Sequence, residues 1–180
     1  MTFVCLGWGS LIWDKTRTVE LPTRGGWEPD GPSLPIEFAR KSADGRLTLV
    51  ITPGAKRVPA LWAVLDVESM EDAVALLARR EGERGGKPTP ESNIGRYPGG
   101  EAWPEAVEIG AWQSGRGFAG VVWTALRPNF SDRPRSVPLL SDAKEHLASL
   151  SGTAAACARR YIRNAPAQIE TEFRAAITVA

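Results

Sequence analysis

The sequence predicts an α+β fold, and three features carry that prediction. Short apolar runs separated by glycine- and proline-containing turns fill the chain up to residue 126. A single amphipathic helical stretch around residues 70–81 interrupts them. Beyond residue 140 small and apolar residues recur three and four apart, the spacing of packed helices.

The first strand is Phe3-Val4-Cys5-Leu6, and it runs into Gly7-Trp8-Gly9-Ser10 before apolar residues resume at Leu11-Ile12-Trp13. Two glycines around one bulky residue let the backbone turn sharply and leave amide N–H groups to face a ligand. A plain tight turn between two strands explains the same spacing. Prolines and glycines then crowd residues 22–35, which predicts a long loop with Trp27 as its docking residue. Leu34–Lys41 reads as a strand with Ile36 and Phe38 on one face. Asp44-Gly45 supplies the hairpin turn, Leu47–Thr52 the return strand, and Ala60–Asp66 a further apolar strand.

Ser69 and Asp72 have the form of a capping box, so a helix starts at Met70. Its apolar stripe is Met70, Ala73, Val74 and Leu77, and Gly82 is a natural stop. The next position on the stripe is Glu81, so this carboxylate is expected on the core side at the negative end of the helix dipole. Burial and the dipole both disfavour its charged form and raise its pKa, as a general base at neutral pH requires. The competing reading is a glutamate paired with a neighbouring arginine at a fraying helix end.

Gly85–Pro104 is a second loop, holding Asn93, Arg96, Tyr97 and Trp103. It is a solvated connector or, if the site lies at Glu81, a segment that begins there and is placed to act as a lid. Ala106–Trp112 and Phe118–Leu126 read as the two strands of a hairpin. Helices follow over Ser141–Leu150 and from a Thr153 cap, the latter with a stripe of Ala154, Cys157, Ala158, Tyr161, Ile162 and Ala165 in which Tyr161 is core. Pro166 opens a last helix with Ile169, Phe173 and Ile177 on one side.

At 180 residues the chain is read as one domain spanning 1–180, without repeats or a linker. The net charge of +1 gives no footprint for nucleic acid or a membrane surface. The N-terminus lacks a basic leader and no apolar run has the length of a membrane span, so the protein is expected in the cytoplasm. Cys5 and Cys157 are isolated and read as small buried apolar residues. With His146 the only histidine and no Cys-x-x-Cys pair, neither a metal site nor a serine–histidine triad is expected. A dinucleotide loop fails because Ile12 takes the place of the third glycine.

Gly-Trp-Gly-Ser-Leu-Ile-Trp (residues 7–13) resembles the Tyr-Gly-Ser-Leu-Ile-Trp opening of the gamma-glutamylcyclotransferase-like family, particularly its glutathione-specific ChaC-like branch. Trp8 replaces the family's tyrosine. Leu77-Ala78-Arg79-Arg80-Glu81-Gly82 is similar to the family helix that supplies its catalytic glutamate, although the ChaC-like branch carries a tyrosine in this stretch. Tyr161 with Asn164 is similar to a Tyr-Leu-x-Asn element near the end of ChaC-like proteins.

The resemblance implies a small mixed β-barrel with flanking helices and a cofactor-independent cyclisation of a gamma-glutamyl group to 5-oxoproline, on glutathione or a similar small molecule. Glu81 would be the catalytic base, and the amides of Trp8, Gly9, Ser10 and Leu11 would bind the substrate. The alternative is a protein of the same fold that binds a small metabolite without turning it over. Oligomeric state cannot be read from the sequence.

Overall fold

The computed structural model describes residues 1–15, 19–82, 91–130 and 137–178. In chain order its elements are β1 (Phe3–Gly7), α1 (Ser10–Trp13), β2 (Thr23–Glu28), β3 (Ser33–Lys41), β4 (Leu47–Ile51), β5 (Arg57–Pro59) and β6 (Leu61–Leu65). There follow α2 (Met70–Gly82), β7 (Ile94–Tyr97), α3 (Ala106–Gly115), β8 (Gly120–Thr124), α4 (Leu140–Ser149), α5 (Gly152–Asn164) and α6 (Glu172–Thr178). The chain divides into two compact units. One comprises the segments Met1–Gly7, Asp14–Pro32 and Pro59–Leu126, the other Trp8–Trp13, Ser33–Val58 and Arg127–Ala180. None of the described helices is long and apolar enough to cross a membrane.

The first unit is a five-stranded sheet in the order β2-β6-β1-β8-β7. β1 pairs antiparallel with β6 and parallel with β8, and all five of its residues are buried. A strand covered on both faces reads as a continuous apolar run, as Phe3–Leu6 does. Alternation places Phe3, Cys5, Ala63, Leu65, Gly120 and Val122 on one face and Val4, Leu6, Trp62, Val64, Val121 and Trp123 on the other. α2 packs on the first face, where a Cβ at Gly120 would come within 2.4 Å of Met70 Cε. α3 packs on the second, where Gly110 lies against the Tyr97 ring and Trp112 meets Trp62. Trp123 is fully buried on that face over Gly95, whose absent side chain makes room for the indole.

α2 begins as its cap predicts. The Ser69 hydroxyl accepts the Asp72 amide N–H at 3.1 Å and donates to the Asp72 carboxylate at 2.6 Å. Ala73, Val74 and Leu77 are buried, joined by Leu76, Ala78 and Arg80.

Several expectations need correction. The segment 106–112 is helical, because Ala106, Ile109, Gly110 and Gln113 are the buried positions and their spacing has a helical period. Residues 22–35 are not all loop: β2 adds to the free edge of β6, with its register shifting between Arg24 and Glu28 around Gly25 and Gly26. Within the 83–104 loop, residues 83–90 lie outside the described residues, while Ile94–Tyr97 pairs with β8 as a strand. The last helix opens at Glu172, where the Thr171 hydroxyl accepts the Arg174 N–H at 3.1 Å, and not at Pro166.

The second unit carries a three-stranded sheet in the order β4-β3-β5 with α1, α4, α5 and α6. β3 and β4 form the expected hairpin around Asp44-Gly45, with Gly45 at φ 84°. Phe38, Tyr161 and Phe173 form its aromatic core. The protein is therefore α+β, but the expected barrel does not form among the described residues. β6 gives both its edges to β1 and β2, so the β3–β4 hairpin is left to build a separate open sheet with β5.

Candidate functional site

The residues expected to act together fall in different units. Glu81 belongs to the first, and Trp8, Gly9, Ser10 and Leu11 belong to the second.

Glu81 is half-buried in the last turn of α2, on the helix that covers the face of the sheet bearing Cys5. Burial pushes the Cys5 thiol far above its ordinary range, and the Glu81 carboxylate adds to that push. A thiol so held is inert as a nucleophile and serves as a small apolar residue. It also shows that the Glu81 carboxylate lies close enough to β1 for its charge to act on Cys5. Arg80, missed by the sequence reading, is the more deeply buried neighbour at 3% exposure, and its guanidinium donates to the Asp14 carbonyl at 2.7 Å. Its position off the apolar stripe gave no sign of this burial.

The 8–11 segment is anchored inside the second unit. Trp8 is buried, and its indole N–H donates to the Leu49 carbonyl at 3.1 Å. Gly9 is buried against Tyr161: a Cβ there would lie 2.4 Å from the tyrosine oxygen. The same oxygen accepts the Leu49 N–H at 3.3 Å. Ser10 and Leu11, half-buried, open the single turn of α1, which the Ile12 N–H closes onto the Gly9 carbonyl at 3.0 Å.

Three further side chains gather on Tyr161. Trp13 meets its ring edge-on at 6.0 Å, Phe38 at 6.2 Å, and the Arg46 guanidinium lies over the ring at 5.3 Å. Arg46 Nε is ion-paired with Asp44 at 2.8 Å. Burial works to raise the Asp44 carboxyl, but the Ser42 hydroxyl and the Arg46 guanidinium outweigh it and hold it below the ordinary range. Glu37 on β3 is the other buried carboxylate of this unit. Desolvation raises its pKa against the hydrogen bonds it accepts from Thr171, Phe38 N–H and Phe173 N–H.

The single histidine is structural, with Nε2 lying 2.7 Å from the Gly45 carbonyl. No group of three or more His, Cys, Asp or Glu side chains among the described residues is placed to hold a metal ion. No family model, no curated protein and no solved structure matches this chain.

Proposed function

We propose that the protein is a gamma-glutamylcyclotransferase-type enzyme that converts the gamma-glutamyl group of a small peptide or amine into 5-oxoproline. The observation that carries this reading is the placement of Glu81. It sits half-buried at the end of α2, with its charge felt by Cys5 on β1, the strand that runs directly into the Gly-Trp-Gly-Ser segment. The resemblance of both stretches to that family names the reaction.

In this reaction the substrate's alpha-amine attacks its own gamma-carbonyl carbon. A new C–N bond closes the five-membered ring and the original amide C–N bond breaks. Nucleophile and electrophile are tethered, so holding the reactive rotamer supplies much of the acceleration. The alpha-ammonium gives one proton to solvent to free the attacking amine; Glu81 takes the second, which this nitrogen sheds as the ring closes, and passes it to the departing nitrogen. The amides of residues 8–11 donate to the carbonyl oxygen as it gains charge, or to the alpha-carboxylate. A role in the cytoplasm belongs to the same proposal.

A binding protein without turnover is favoured by one observation: the Trp8 indole N–H is committed to the Leu49 carbonyl, which makes this side chain an anchor. The test is 5-oxoproline release from a panel of gamma-glutamyl compounds, with wild type beside Glu81→Gln. Release that falls at least about a hundredfold in the variant supports Glu81 as the base. Release that survives removes Glu81 from the role, and no release from any compound by the folded protein favours the binding reading.

A further inference from the structure

We propose that Arg46 is a carboxylate-binding residue, presenting the end of its guanidinium to a carboxylate of the ligand beside Tyr161. Arg46 follows a hairpin turn, where arginines ordinarily extend into solvent, yet it is 7% exposed. Burying a guanidinium is costly unless its five N–H donors find acceptors. Asp44 engages Nε through both of its oxygens, at 2.9 and 2.8 Å. The Tyr161 ring covers one face of the guanidinium. Among the described residues no hydrogen bond engages Nη1 or Nη2, and neither is a buried atom without a partner, so the end of the guanidinium reaches solvent. Those two nitrogens form the planar fork that receives a carboxylate through two parallel hydrogen bonds.

A second donor borders the same tyrosine. Trp13 Nε1 is buried with no hydrogen-bond partner among the described residues, and its ring packs on the same Tyr161. A buried N–H without an acceptor calls for an explanation, and an anionic ligand supplies one. Arg46, Trp13, Tyr161 and Gly9 all belong to the second unit, so these observations stand without reference to Glu81. Arginine with an aromatic indole donor suits a carboxylate better than a hydroxyl or an amide, because charge-assisted bonds to a fork are the stronger ones.

Identifying that carboxylate as part of a gamma-glutamyl ligand rests on the proposed function. Where the amides of residues 8–11 take the alpha-carboxylate, the carboxylate left for Arg46 is one in the departing part, which favours an amino acid or peptide over a simple amine.

The experiment is calorimetric binding of gamma-glutamylglycine and of gamma-glutamylmethylamide, which lacks the second carboxylate, to wild type, Arg46→Gln and Arg46→Lys. Melting curves establish that each variant is folded. Wild type is expected to bind the glycine compound at least tenfold more tightly. Arg46→Gln abolishes that preference, and Arg46→Lys, which keeps the charge without the fork, recovers only part of it.

A preference that persists in Arg46→Gln overturns the proposal, as does equal binding of the two compounds by wild type. If neither compound binds, titration with glutarate decides: binding that Arg46→Gln weakens tenfold upholds the carboxylate site, and glutarate binding indifferent to Arg46, or absent, ends it. The proposed reaction is judged separately, by 5-oxoproline release. Release without any Arg46-dependent preference leaves that reaction standing and removes only this residue.

Discussion

β1 and β4 set the same problem, a buried strand whose backbone must be satisfied, and the two units solve it differently. β1 lies between β6 and β8 and finds partners on both sides from other strands. β4 is the end strand of its sheet, and beyond its bonds to β3 the Leu49 peptide is bracketed by two side chains: Trp8 donates to its carbonyl and Tyr161 accepts its N–H. Those partners lie 41 and 112 positions away in the chain. An exposed strand edge invites pairing with another chain, and here bulky aromatic groups with one polar atom each cover it. Trp8, at the head of the 8–13 segment, is therefore part of the edge cover of β4.

The largest expected effect tests the first solution. Trp123→Ala removes a fully buried indole from the face shared with Val4 and Leu6 and should cost about 3–5 kcal/mol in denaturant unfolding. Amide exchange in β1 and β8 should accelerate most. A loss under about 1 kcal/mol, far below the range for emptying a packed core position, would show that this face is not the core of the unit.

The second solution breaks at Gly9. Gly9→Ala drives a methyl into the Tyr161 oxygen and should cost about 1–3 kcal/mol, the range for overpacking. Tyr161→Phe deletes the atom it strikes, so the double variant should be less destabilised than the sum of the two single ones. Simple additivity would mean that the 8–11 segment is not positioned by this tyrosine.

Trp8→Phe is the milder test of the same edge. It keeps the ring but leaves the Leu49 carbonyl without its donor, an expected cost of about 1–2 kcal/mol. Exchange should quicken at β4 and not at β1. Unchanged stability would make Trp8 available for a role at the ligand.

This contrast also explains what could be read from the sequence. β1, the β3–β4 hairpin and α2 are set by local patterns: an apolar run, an Asp-Gly turn, a Ser69 cap. α3 was misread as a strand because two of its four inward positions are Gly110 and Gln113, which an apolar pattern passes over. β2 was missed because Gly25 and Gly26, the residues that let it bulge along β6, look like loop. Glu81 follows Leu77 by one turn and is half-buried, less so than Ala73, Val74 and Leu77 of the stripe before it. Tyr161 was legible only as core, because nothing near it announces that its oxygen meets Gly9 and Leu49. Arg46 was invisible, since its burial depends on packing against a helix more than a hundred residues away.

The smallest effect concerns Glu37, where the second unit again satisfies backbone with a side chain. Its carboxylate accepts the Phe38 N–H at 2.8 Å and the Phe173 N–H at 3.3 Å at the start of α6. Burial dominates and raises its pKa above the ordinary 4.5. A carboxyl whose folded pKa is raised holds its proton more tightly in the folded state. Its contribution to stability is therefore fully present below pH 4.5 and is lost as pH rises through the higher folded value. Glu37→Gln cannot titrate, so the stability of wild type relative to the variant should increase as pH falls from neutrality toward 4.5 and level off below. Chemical unfolding across that range reads the difference directly. The opposite slope would mean that the two N–H donors and Thr171 outweigh burial, making Glu37 a true anionic cap of α6 instead of a strained one.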